Sequence, residues 1–175
     1  SVNLVLEGVN IVSAGNPASV GCGSVGIFSP VGNVAISGDT LITLGGSAGS
    51  WSCGIDSSGS LSLNADTIIT IGGAASSYSA GLITTASAGD VNITGGSVTA
   101  IGGSAGNSSN GIYSARHTNI TGGSVIAVGG SEGSMEKDGI GIYSNENINI
   151  TGGSGAAVAG SKTTAKAFST TPQGD

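Results

Sequence analysis

Val91-Asn-Ile-Thr-Gly-Gly-Ser-Val-Thr-Ala-Ile-Gly-Gly103 returns almost unchanged as Thr118-Asn-Ile-Thr-Gly-Gly-Ser-Val-Ile-Ala-Val-Gly-Gly130. It returns again, degraded, as Ile148-Asn-Ile-Thr-Gly-Gly-Ser-Gly-Ala-Ala-Val-Ala-Gly160. Two earlier stretches follow the same plan, Val34 to Gly46 and Leu61 to Gly73, and a first copy runs from near Leu4 to near Gly15. The second apolar residue of each copy marks the period: Leu6, Ile36, Leu63, Ile93, Ile120 and Ile150, spaced by 30, 27, 30, 27 and 30. A second motif sits between the copies as Gly26-Ile-Phe-Ser29, Gly54-Ile-Asp-Ser57, Gly81-Leu-Ile-Thr84, Gly111-Ile-Tyr-Ser114 and Gly141-Ile-Tyr-Ser144, with Ala167-Phe-Ser169 as a candidate sixth.

Each repeat therefore carries three short strand candidates. Strand A is Val91 to Thr94, strand B is Ser97 to Ile101, and strand C is Gly111 to Ser114. Gly95-Gly96 forms the A-to-B corner, where a sharp change of direction calls for positive φ. Three strands in a period of 27 to 30 residues fit one coil of a parallel β-helix. The expectation is a single-domain, all-β, right-handed parallel β-helix (β-solenoid) over residues 1–175, with about six partial or complete coils. At one strand spacing per coil its core would be about 30 Å long. A propeller blade needs about 40 residues and a leucine-rich repeat needs a leucine pattern that is absent.

Composition agrees. Glycine fills 34 of 175 positions, and six residues are aromatic. Hydrophobic residues still make up 38%, in short runs of Val, Ile, Leu and Ala between glycines, which argues for strands rather than a disordered linker. Four basic against ten acidic residues leave a net charge of −6 and no basic patch, so nucleic acid is a poor partner. No apolar run is long enough to span a membrane as a helix.

Alternation sorts the ladders. Val34/Ile36, Leu61/Leu63, Val91/Ile93 and Ile148/Ile150 should face inward on strand A, leaving Asn92, Asn119 and Asn149 outside. These asparagines match the N-x-Thr pattern, and they read as a stacked amide ladder. On strand C, Ile27, Ile55, Leu82, Ile112 and Ile142 should face inward, with Phe28, Asp56, Ile83, Tyr113 and Tyr143 in one outward column. If Val98 and Ala100 face inward on strand B, then Ile42, Ile69, Thr99, Ile126 and Leu44, Ile71, Ile101, Val128 form an apolar outer face. Such a face needs self-association or a neighbouring domain to cover it.

The repeat resembles the glycine-rich β-helical carbohydrate-binding domains of bacterial secreted and cell-surface proteins. The likeness rests on Ile93-Thr-Gly-Gly-Ser-Val-Thr-Ala100 with Gly111-Ile-Tyr-Ser114, and on the matching Ile120 to Ala127 with Gly141 to Ser144. The resemblance implies a pectate-lyase-like coil without lyase activity, an extracellular or cell-surface location, and binding of polysaccharide, with calcium in some members. Those members place acidic residues around strand C, where this chain mostly has Tyr, Phe or Ile.

The candidate ligand site is a platform of Tyr113 and Tyr143, which follow an inward Ile on adjacent coils. An exposed aromatic ring offers an apolar face to the C–H side of a pyranose. Asn110, Ser114, Arg116, Asn145 and Glu146 are its candidate flanking polar groups. Asp39 and Asp66 share one corner position on adjacent coils and form the candidate metal site, for Ca²⁺. Arg116, His117 and Glu146 fall in equivalent loops and read as solvated charges rather than a catalytic group. No Cys/His spacing suits zinc and no phosphate-cradling loop occurs. Cys22 and Cys53 approach strand C from adjacent coils out of register, so a disulfide and two buried thiols both fit. The chain opens almost on a strand and ends on Thr170-Thr-Pro-Gln-Gly-Asp175, which reads as a piece of a larger exported protein. Three functions compete: a non-catalytic carbohydrate-binding or adhesion module, a structural stalk, and a polysaccharide-degrading enzyme.

Overall fold

The computed structural model describes residues 1–15, 23–131, 139–160 and 166–170. It is a right-handed all-β solenoid of about five turns, with no helix among the described residues. The six rungs expected from the sequence bound those turns. Every strand pair is parallel and joins a strand to its equivalent one turn away.

Two walls form the coil. In the first three turns strands A and B run on as single long strands: β1 (Val2–Ser13), β3 (Val34–Leu44) and β5 (Leu61–Ile71). In the later turns they separate into β7 (Val91–Ile93) and β8 (Ser97–Ile101), β10 (Thr118–Ile120) and β11 (Ser124–Val128), and β13 (Ile148–Ile150) and β14 (Ser154–Val158). Together these make one bent nine-stranded sheet. Strand C makes the other sheet, six strands ordered along the axis: β2 (Ser24–Ser29), β4 (Trp51–Ser57), β6 (Tyr78–Thr84), β9 (Ser108–Ser114), β12 (Gly139–Ser144) and β15 (Phe168–Thr170).

The split of A from B follows the glycine pairs. The second glycine of each pair, Gly96, Gly123 and Gly153, has φ of 71°, 78° and 72°. A Cβ on Gly96 would sit 1.7 Å from the Ala65 carbonyl oxygen, so the corner also needs the space.

Leu63, Ile93 and Ile120 stand in one interior column with Ile36, each 1% exposed or less. Ile150 continues the column on the last described strand of this wall, where it is 45% exposed. At the other end the expected marker is corrected. Ile36 pairs with Leu4, not Leu6, and the register shifts between Leu6 and Val9. The first copy therefore begins at Val2. Glu7-Gly8 bulges there, with Gly8 at φ 67°.

The strand C interior is Ile55, Leu82, Ile112 and Ile142, as alternation requires. On strand B, Leu41, Ile68, Val98, Ala100, Val125 and Ala127 are inside. Ile42, Ile69, Ile71, Ile101 and Val128 are consequently half-exposed, and Ile126 is 45% exposed.

Polar ladders bind successive turns. Asn119 Nδ2 donates to Asn92 Oδ1 at 2.9 Å and Asn149 Nδ2 to Asn119 Oδ1 at 2.8 Å. A buried serine column ties the B-to-C turns. Ser52 Oγ donates to the Gly46 carbonyl at 2.7 Å and accepts from Gly73 N–H at 2.8 Å. Ser79 repeats this with the Gly73 carbonyl and Gly103 N–H. Each hydroxyl thus satisfies backbone groups that the tight turn leaves without a sheet partner.

Candidate functional site

The outer face of the strand C sheet carries a groove of about 590 Å³, within the usual range for ligand sites. It crosses β2, β4, β6 and β9, which span about 14 Å at one strand spacing per rung. Three register columns build it. Trp51, Tyr78 and Ser108 pair in sequence and form one wall. Cys53, Ala80 and Asn110 form the floor. Phe28, Asp56, Ile83 and Tyr113 form the opposite wall. Small residues on the floor leave the space, and large aromatic ones on the walls enclose it. The Trp51 indole reaches over the neighbouring rung, where a Cβ on Gly23 would come within 2.1 Å of the ring.

Two polar side chains in the groove each carry a buried oxygen without a partner. Asp56 is 6% exposed, and its Oδ1 is fully buried with no hydrogen bond. Its column neighbours are Phe28 and Ile83, which offer no donor. Burial raises its carboxyl from 3.8 to about 6. Asn110 is also 6% exposed. Its Nδ2 donates to Ser108 Oγ at 3.2 Å, while its Oδ1 is buried without a partner. Unpaired buried acceptors are uncommon in folded proteins, and each one calls for an explanation. Cys53 is a buried free thiol, and burial followed by the nearby Asp56 charge pushes its pKa far up, so it stays protonated. Cys22 lies outside the described residues.

The residues expected from the sequence divide between this groove and its flank. Tyr113 and Asn110 line the groove. Tyr143 stacks on Tyr113, centroids 5.2 Å apart and planes 11° apart, so each ring covers one face of the other. Asn145 Nδ2 donates to Tyr113 Oη at 3.5 Å and to the Ala115 carbonyl at 3.1 Å. Burial raises the Tyr113 phenol, against the lowering effect of that Asn145 contact. Ser114 is corrected to a structural role. It is fully buried, and its Oγ donates toward the Gly89 and His117 carbonyls, so it faces no ligand.

Arg116 and Glu146 belong to a charge cluster in the loops after strand C. Arg116 lies 3.8 Å from Asp90 and 3.7 Å from Glu146, and His117 Nε2 is 3.0 Å from Glu146. The cluster is half-exposed and pairs its own charges. At the A-to-B corner, Asp39 Oδ2 accepts from Gly8 N–H at 2.7 Å. Asp39 and Asp66 follow the paired Gly38 and Ala65, so they do share a corner. No cluster of three or more His, Cys, Asp or Glu suited to a metal occurs among the described residues.

Trp51, Tyr78 and Asp56 are groove residues that sequence reasoning left out of the candidate site. The signal was present: Trp51 and Tyr78 both stand three positions before the strand C glycine, and Asp56 shares the outward column of Tyr113. No helix among the described residues is long and apolar enough to cross a membrane. No family model, curated protein or solved structure matches the chain.

Proposed function

We propose that the chain is a non-catalytic carbohydrate-binding module of an exported or cell-surface protein, and that its site is the groove of Trp51, Tyr78, Asp56, Asn110 and Tyr113. The observation that carries this reading is the pairing of aromatic walls with two buried, unpartnered acceptors. Aromatic rings suit the C–H faces of pyranose rings. Acceptors already stripped of water gain from sugar hydroxyl donors, because an unpaired buried oxygen is costly. Among the described lining residues Asp56 is the one carboxylate, whereas glycoside hydrolysis ordinarily uses two. That favours binding over turnover.

The stalk reading rests on the same coil. The asparagine ladder and the Tyr113–Tyr143 stack stiffen the rod whether or not a ligand binds. The apolar outer face of Ile69, Ile71, Ile101, Ile126 and Val128 suits contact with a second copy or a neighbouring domain in either case.

A glycan array with the full chain separates the two. Retention on at least one polysaccharide class is expected, with loss in a folded Trp51→Ala, Tyr78→Ala double variant. Binding of no glycan, or unchanged binding by the double variant, would overturn the groove as the site.

A further inference from the structure

Asp56 is an anomaly within its own column. Every other member of that column from β2 to β12 is aromatic or aliphatic: Phe28, Ile83, Tyr113 and Tyr143. A carboxylate there, 6% exposed and with a bare Oδ1, has no counter-charge in the groove. The nearest described guanidinium, Arg116, follows β9, two rungs along the sheet, and is engaged with Asp90 and Glu146. The described Lys166 lies beside the last rung, where its carbonyl accepts from Gly141 N–H. The lining residues carry no cation.

A hydroxyl donor reaching the carboxylate from the groove would give it a partner without neutralising it. A positive charge would do both, and the remaining walls suit one. The faces of Trp and Tyr carry negative quadrupole density that attracts ammonium groups, most strongly where water is excluded. Trp51, Tyr78 and Tyr113 line the same groove as Asp56. The same charge repels a carboxylated sugar.

We infer that the groove selects glycans whose pyranose rings carry a free ammonium group, with that group against Asp56 and the ring carbons on Trp51 and Tyr78. This inference rests on the carbohydrate-binding reading above. The other titratable groups facing Asp56 are Cys53 on its own strand, Tyr78 on β6 and Tyr113 on β9; β2 contributes Phe28. None of these supplies positive charge, so Asp56 alone sets the charge preference.

The test is titration calorimetry on the full chain with three short oligomers at near-neutral pH: β-linked glucosamine, its N-acetylated form, and a uronic acid oligomer. The amino form should bind about tenfold or more tighter than the N-acetylated form, the scale of one charge-assisted hydrogen bond. The uronic acid oligomer should bind most weakly. Asp56→Asn should erase the amino preference, bringing the amino and N-acetylated affinities to within about twofold of each other. That variant removes a buried charge, so it should fold; circular dichroism checks this. Equal affinities, or a uronic acid preference, would overturn the ammonium inference and leave the glycan reading standing. An amino preference unchanged in Asp56→Asn would overturn it too. No binding of any of the oligomers or of any array glycan would overturn both.

Discussion

Tyr113 and Tyr143 lie one rung apart with their rings stacked, yet only Tyr113 reaches the groove. Their equivalence in sequence thus divides into two jobs. Tyr113 is a wall of the groove and Tyr143 is the support behind it. Tyr143→Ala should lower stability by about 1 to 2 kcal/mol, the worth of an aromatic pair with some lost burial. Glycan affinity should stay nearly unchanged. Guanidinium denaturation and calorimetry on the same variant read both. Loss of binding equal to that of Tyr113→Ala would show a joint platform instead.

Gly96 is held by two constraints, a φ of 71° and the Ala65 carbonyl oxygen where a Cβ would go. Gly95 has an ordinary φ, and a Cβ there would first meet the Asn64 amide, a side chain able to move. Gly96→Val should therefore cost more than about 2 kcal/mol. Gly95→Ala should cost clearly less. Comparable denaturation midpoints for the two variants would contradict the corner geometry.

Thr70 is fully buried in the strand B interior, and its Oγ1 has no partner. Its equivalent one turn on is Ala100. Thr70→Val keeps the shape and removes an unpaired hydroxyl. It should stabilise the coil by about 1 kcal/mol. A lower melting temperature would mean that the hydroxyl is paired in solution.

Asp56 gives stability a pH signature. Its carboxyl titrates near 3.8 unfolded and about 6 folded, raised by burial. Between those values the folded state holds the proton more tightly. Stability from this group is therefore full below about pH 3.8, falls as pH rises, and is lost above about pH 6. The loss is about 3 kcal/mol. Asp56→Asn should be more stable than the parent at pH 7 and equal to it near pH 3.5. Urea midpoints across that range decide it; parallel curves for the two proteins would contradict a buried, unpaired carboxylate.

The coil was legible because stacking imposes one rule on every turn. Inward Ile and Leu, outward Asn and corner Gly-Gly each recur at the pitch that brings them into contact, so the period alone predicts the contacts. The first turn was misread by two residues, since Leu4 and Leu6 both satisfy alternation and only the bulge at Glu7-Gly8 chooses between them. Ser114 was misread because a hydroxyl next to an outward tyrosine looks available, whereas alternation turns it inward onto backbone carbonyls. The groove was harder to see. Its wall of Trp51 and Tyr78 breaks the repeat rather than following it, and Asp56 is buried because of its neighbours' bulk rather than its place in the period.

Trp51 is the only tryptophan in the chain, so its emission reports on the groove alone. It is 38% exposed in the free protein and should lose water when a sugar ring covers it. Titrating the full chain with the glycan classes retained on the array should give a saturable blue shift, at the same half-point as calorimetry. Calorimetric binding with no change in Trp51 emission would place the ligand elsewhere and contradict the groove as the binding site.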